Sequence, residues 1–80
     1  MTTPQPTATE TCNARRSQIA RLLDVIQMEL DKHTEKQKAD PKNWGYAGNL
    51  AKVRSDLIDV VGFLSNMERE EVEAFLDDAE

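Results

Sequence analysis

The chain has 80 residues, of which 39% are hydrophobic and 31% are charged, and its net charge is −5. This length allows one small domain with a core of marginal stability, and the composition favours a helical protein over a disordered one. No stretch approaches the ~18 consecutive apolar residues that a membrane-spanning helix requires, which excludes that class.

The chain is expected to begin with a flexible leader over residues 1–12. This segment is rich in Thr and Pro and shows no apolar periodicity. It also lacks the basic start and the apolar stretch of a signal peptide, so a cytoplasmic location is expected. Cys12 is the only cysteine, which excludes an intramolecular disulfide and favours an inert thiol over redox or metal chemistry.

The first predicted helix begins near Asn13 and runs to Asp40. Its apolar residues recur every three or four positions, as on one face of an amphipathic helix: Ile19, Leu22, Leu23, Ile26 and Leu30. Neither Gly nor Pro occurs in this segment, which favours an unbroken helix.

A corner is predicted at Asp40–Asn49. Pro41 disfavours the helical conformation at the residue before it and so ends the first helix. Asn43 is the expected N-cap of the next helix. The segment also contains the only Trp and the only Tyr, Trp44 and Tyr46. A structural role for Trp44, buried over the helix ends, is favoured over an exposed anchor for a partner.

A second amphipathic helix is predicted to end near Leu64. Its apolar stripe again follows steps of three and four: Leu50, Val53, Leu57, Val60 or Val61, and Leu64. Gly62 lies inside this helix, where it indicates either close packing or early fraying.

A short third helix is predicted within residues 65–80. Ser65 and Glu68 have the spacing of a capping box, which favours a break over one continuous helix from Asn43 to Asp78. Val72, Phe75, Leu76 and Ala79 form its apolar face. The segment carries seven acidic residues against Arg69, so the negative excess of the whole chain lies here. Such a tail repels nucleic acid and attracts basic protein surfaces, or simply aids solubility.

The corner sequence from Asp40 to Leu50, with its Asn-Trp-Gly-Tyr run and the following Ala-Gly, resembles small uncharacterised bacterial helical-hairpin proteins. In that group a second helix ends near a Phe-Leu pair, here Phe63-Leu64. The resemblance covers residues 19–64. It implies a helical hairpin and a bacterial or mobile-element origin, and it implies no function.

These elements predict an all-α fold, with an antiparallel helical hairpin over residues 13–64 and an acidic C-terminal helix over 65–80. Two stripes of this width are poorly buried in a lone hairpin, since apolar burial barely offsets the ordering entropy at this size. We therefore expect a homodimer that forms a four-helix bundle. Its predicted core is Ile19, Leu23, Ile26, Leu30, Leu50, Val53, Leu57, Val61 and Leu64.

The residue types argue against catalysis. His33 and Glu29 lie one turn apart, but a metal site needs three or four ligands and no second His exists. The Ser residues lack a recognisable base arrangement, and a small hairpin offers no deep cleft. We therefore predict no enzyme activity, no cofactor and no metal. Arg15, Arg16 and Arg21 form a basic cluster without interleaved aromatic residues, so direct nucleic-acid binding is not expected.

The favoured function is a protein-interaction or regulatory module, an adaptor or inhibitor from a mobile element, whose partner has a basic or apolar groove. The alternatives are an acidic mimic of nucleic acid that inhibits a DNA-binding protein, and a purely structural dimerisation unit. The candidate partner-binding residues lie at the corner and in the acidic tail: Trp44, Tyr46, Glu70, Glu71, Val72, Phe75, Leu76, Asp77 and Asp78.

Overall fold

The computed structural model describes residues 5–78, and every regular element in that range is a helix. The helices are α1 (Ala8–Ala39), α2 (Gly45–Ser65) and α3 (Arg69–Asp78). This confirms the all-α prediction. None of these helices is both long and apolar enough to cross a membrane. The first four residues of the predicted leader, and Ala79 of the predicted third helix, lie outside the described residues.

The chain divides into two compact units. The first contains α1 and ends at Ala39, and the second begins at Asp40 and contains α2 and α3. Within the second unit, α2 and α3 contact each other.

α1 begins at Ala8, so the start predicted near Asn13 was wrong. The reason is a cap inside the predicted leader. The backbone N–H of Glu10 donates to Thr7 Oγ1 at 3.0 Å, and the N–H of Thr11 donates to the Thr7 carbonyl at 3.0 Å. Thr7 and Glu10 also have the spacing of a capping box, with an acidic residue in the first turn where the helix dipole favours it.

α1 contains 32 residues, none of which is buried. Two ion pairs one turn apart, Glu29–Lys32 at 3.2 Å and Glu35–Lys38 at 3.7 Å, are exposed and therefore add little stability. Ile26 and Leu30 of the predicted core are half-buried, whereas Ile19 and Leu23 are exposed. Backbone hydrogen bonds hold this helix, and its apolar side chains remain largely accessible.

The corner that follows α1 is stabilised by Asp40 and Asn43. The Asn43 N–H donates to the Asp40 carbonyl at 3.1 Å, and Asn43 Nδ2 donates to Asp40 Oδ2 at 3.2 Å. Asn43 Oδ1 accepts a hydrogen bond from the Gly45 N–H at 2.9 Å. The N-cap of α2 is Trp44, which makes no side-chain cap bond, so the Asn43 prediction was wrong by one position. Asn43 nevertheless satisfies the first free N–H of α2 from outside the helix.

α2 ends in a left-handed residue, Asn66, with φ 59°. The Met67 N–H donates to the Gly62 carbonyl at 3.2 Å, which is the six-to-one bond of a Schellman motif. A Cβ atom at Gly62 would lie 3.0 Å from the Met67 carbonyl oxygen. Gly62 thus permits a close backbone approach, which accords with the close-packing alternative considered for it.

The chain breaks between α2 and α3, as the favoured alternative predicted, but Ser65 does not form the predicted capping box. Ser65 is the last residue of α2, and its Oγ donates to the Val61 carbonyl at 2.6 Å. Instead, the Glu68 carbonyl accepts the Glu71 and Val72 N–H groups at 3.0 and 3.2 Å in the first turn of α3. The Schellman motif therefore determines the break, because its left-handed residue ends α2.

Candidate interaction surfaces

Arg69, the first residue of α3, joins α3 to α2. Its Nη1 lies 2.7 Å from Asp59 Oδ1, and its Nη2 donates to Ser55 Oγ at 2.9 Å. Nη1 also reaches the Ser55 carbonyl at 3.5 Å, and Nε lies 3.3 Å from Glu73 Oε1 within α3. The planar guanidinium thus engages groups on both helices, which a flexible ammonium does less well. The sequence alone gave no indication of this role for Arg69.

The apolar centre of the second unit consists of Ile58 on α2 and Val72 on α3, which are 3% and 5% exposed. They are the buried hydrophobic residues of the described chain, and neither was in the predicted core. Val72 was instead predicted to bind a partner. That prediction was wrong, because the side chain is already buried within the chain.

α3 uses a face of α2 that the apolar stripe does not include. Ser55 and Asp59, which bond to Arg69, share this face with Ile58 and lie roughly 150° around the helix from the centre of the stripe, at 3.6 residues per turn. Four of the predicted core residues of α2 are consequently exposed: Leu50, Val53, Val61 and Leu64. Leu57 is half-buried. The stripe of α2 therefore remains available for another partner.

The exposed surface of α3 combines carboxylates with apolar groups. Glu70, Glu71, Asp77 and Asp78 are exposed. Phe75 is 68% exposed and Leu76 is 37% exposed. Arg69, the cation of α3, is already paired with Asp59 and Glu73. Its positive charge therefore neutralises little of the negative charge of the exposed carboxylates. Carboxylates and apolar side chains are thus both accessible on α3, whereas Val72 is not.

The corner aromatic residues differ in exposure. Trp44 is 85% exposed, so the favoured prediction of a buried structural role was wrong and the alternative of an accessible anchor accords with its position. Trp44 precedes the first turn of α2 and its side chain caps no N–H group. Tyr46 is half-buried. Phe63 is 84% exposed and was not among the predicted binding residues.

α1 carries the widest apolar surface of the chain. Five of its large side chains are between 49% and 59% exposed: Ile19, Leu22, Leu23, Val25 and Met28. At 3.6 residues per turn they span roughly 220° of the helix circumference. A stripe that faces one neighbour is about 100° wide, so a single helix cannot cover this surface.

No group of three or more His, Cys, Asp and Glu side chains between residues 5 and 78 is placed to hold a metal ion. His33 is half-buried, and Cys12 is an exposed free thiol. The hydrogen bond and the negative charge of Asp56, 2.7 Å away, raise the pKa of Lys52 above its ordinary value. This exposed pair lies one turn apart on α2 and forms no pocket for a substrate.

Comparisons with protein-family models, with curated proteins and with solved structures found no match to this chain.

Proposed function

We propose that this chain is a non-catalytic protein-interaction module that acts as a homodimer. The observation that carries the proposal is the apolar surface of α1, where five large side chains are about half exposed over more than half of the helix circumference. Contiguous exposed apolar patches typically mark sites of association, because water contact with them is unfavourable.

In the proposed dimer, each chain forms an antiparallel hairpin from α1 and α2, and two hairpins pack into a four-helix bundle. Such a bundle buries stripes from facing helices in a common core. The stripe of α2 supports this arrangement, because α3 packs on a different face and leaves Leu50, Val53 and Val61 exposed. A symmetric dimer uses the same patch twice, so no second protein is needed to cover these residues.

The α3 surface is the proposed contact for a different protein. Phe75 and Leu76 supply apolar area, and the neighbouring carboxylates supply negative charge. A groove with an apolar floor and a basic rim complements both features. The module would thus use α1 and α2 to dimerise and α3 to engage its partner, as an adaptor or an inhibitor does.

Sedimentation equilibrium tests the dimer directly. We expect a dimer for the natural chain at micromolar concentration and a monomer for Leu22→Asp, because this change places a charge in the apolar surface of α1. Phe63→Asp is the matched control, since Phe63 is also exposed but lies outside the stripe of α2. A compact, cooperatively folded monomer of the natural chain would contradict the proposal.

A further inference from the structure

The charges of α1 are divided on either side of Leu22. Residues 8–21 contain Arg15, Arg16 and Arg21 against Glu10, a net charge of +2. Residues 23–36 contain four carboxylates and two lysines, a net charge of −2: Asp24, Glu29, Asp31, Lys32, Glu35 and Lys36. The helix is therefore basic before Leu22 and acidic after it. The two segments have the same length, and their net charges are equal in size and opposite in sign.

Leu22 also lies near the middle of the exposed apolar surface of α1, which runs from Ile19 to Met28. Arg15 lies seven residues before Leu22 and Glu29 lies seven residues after it. Seven residues are close to two full turns, so both side chains point within roughly 20° of the Leu22 direction. We call this side of α1 the Leu22 face: Arg15, Gln18, Leu22, Val25 and Glu29. All five residues are exposed.

We infer that two copies of α1 pair in antiparallel orientation through the Leu22 face, with the twofold axis beside Leu22. The inference rests on the proposed homodimer and adds its orientation and register. A twofold interface is self-complementary, so a residue on one side of the axis meets a residue equally far on the other side. In this register Leu22 meets its own copy, and Arg15 of one chain lies level with Glu29 of the other.

Charge selects this orientation over the parallel one. In antiparallel pairing the segment of charge +2 faces the segment of charge −2 at both ends of the interface. Parallel pairing in register would place Arg15 beside Arg15 and Glu29 beside Glu29. Like charges facing each other across an interface are unfavourable and exclude wrong arrangements. Glu29 is bound at 3.2 Å to Lys32 of its own helix, but this pair is exposed and leaves carboxylate oxygen free for a second cation.

A reciprocal charge reversal tests the register. Arg15→Glu alone and Glu29→Arg alone should each raise the dimer dissociation constant about tenfold, because each turns two ion pairs into two repulsions. The double variant Arg15→Glu/Glu29→Arg should return the constant to within about threefold of the natural chain, because the pairs re-form with exchanged signs. Asp31→Arg is the matched control, since Asp31 lies opposite the Leu22 face and should change the constant little.

A distance measurement on the natural chain avoids any effect of substitution on folding. Cys12 is the only cysteine and is exposed, so a nitroxide label can be attached to it without any mutation. In the antiparallel register the two Cys12 positions lie 20 residues apart along the axis, about 30 Å at 1.5 Å per residue. Parallel pairing would bring the labels to within about 15 Å, given helix separations of 8–10 Å.

The outcomes separate the two proposals. A natural chain that sediments as a monomer overturns the homodimer and the inference with it. A dimer with a short label distance, or with no recovery in the double variant, overturns the antiparallel register but leaves the homodimer standing. A dimer with labels about 30 Å apart and recovery in the double variant supports both.

Discussion

Arg69 links α3 to α2 through its guanidinium group. It bonds to Ser55 and Asp59 on α2 and to Glu73 on α3, and its side chain is 40% exposed. Partial exposure weakens each ion pair, but several bonds from one planar group lose less entropy than separate pairs would. The chain between the helices is short, so this side chain and the burial of Ile58 and Val72 together determine where α3 lies.

We expect Arg69→Ala to lower the free energy of unfolding by about 1–2 kcal/mol, because Asp59 and Ser55 lose their partner. Arg69→Lys should cost less, since it keeps the positive charge but loses the planar fork. Urea denaturation followed by far-ultraviolet circular dichroism measures both changes.

Lys52→Ala is the control for this measurement. It removes an exposed ion pair between Lys52 and Asp56, which lie in the same helix, so no contact between two helices is lost. We expect it to have a smaller effect than Arg69→Ala. Equal losses for the two variants would show that Arg69 contributes no more than an ordinary surface charge.

At the scale of the helices, the period of the apolar residues predicted three helices, and Pro41 predicted the end of the first one. Both signals are local in the sequence. The local signals were nevertheless assigned to the wrong places. Thr7 caps the first turn of α1 by accepting the Glu10 N–H, whereas the similarly spaced pair Ser65 and Glu68 forms no capping box. Ser65 could either end α2 or cap α3. Because Asn66 adopts the left-handed conformation, α2 extends to Ser65, and this residue is not available as the cap of α3.

The contact between α2 and α3 could not be predicted from periodicity. Periodicity identifies the most apolar face of a helix, and α3 packs on another face through Ile58 and a set of polar bonds. The same limit explains Val72, whose place in the apolar face of α3 did not reveal which element covers it. The acidic outward surface was predictable, because charged side chains are almost never buried unless paired.

The α3 surface is best tested by single substitutions. Deleting residues 65–80 would remove Arg69 and Val72 and expose Ile58, so a loss of binding would not be specific to the surface. We expect Phe75→Ser to reduce capture of the natural partner at least tenfold, because an exposed aromatic anchor is removed while the buried contact remains.

Phe63→Ser provides the control for that experiment, since it removes an equally exposed phenylalanine from α2. A capture assay from host lysate, with each variant at equal concentration, measures both. Capture that is unchanged in Phe75→Ser would remove α3 from the proposed interface. Loss in both variants would extend the interface to the end of α2.

At the scale of the whole molecule, the described chain buries two hydrophobic side chains, Ile58 and Val72. Two such residues contribute only about 3–6 kcal/mol, which is small against the ordering entropy of a chain of this size. Exposed apolar residues on α1 and α2 are the remaining source of stability. If association buries them, then folding and dimerisation are one process, and the stability of the chain depends on its concentration.

We therefore expect the midpoint of thermal unfolding to fall by about 3–6 °C for each tenfold dilution of the natural chain. Tenfold dilution costs a dimer about 1.4 kcal/mol, and a folded unit of about 160 residues loses 2–4 °C per kcal/mol. Circular dichroism melting curves over a hundredfold concentration range measure this slope. Leu22→Asp should show no cooperative transition at any of these concentrations, because a chain that does not associate loses the apolar burial on which its folding depends. A constant midpoint for the natural chain would mean that its stability arises within one copy, and the apolar surface of α1 would then need another explanation.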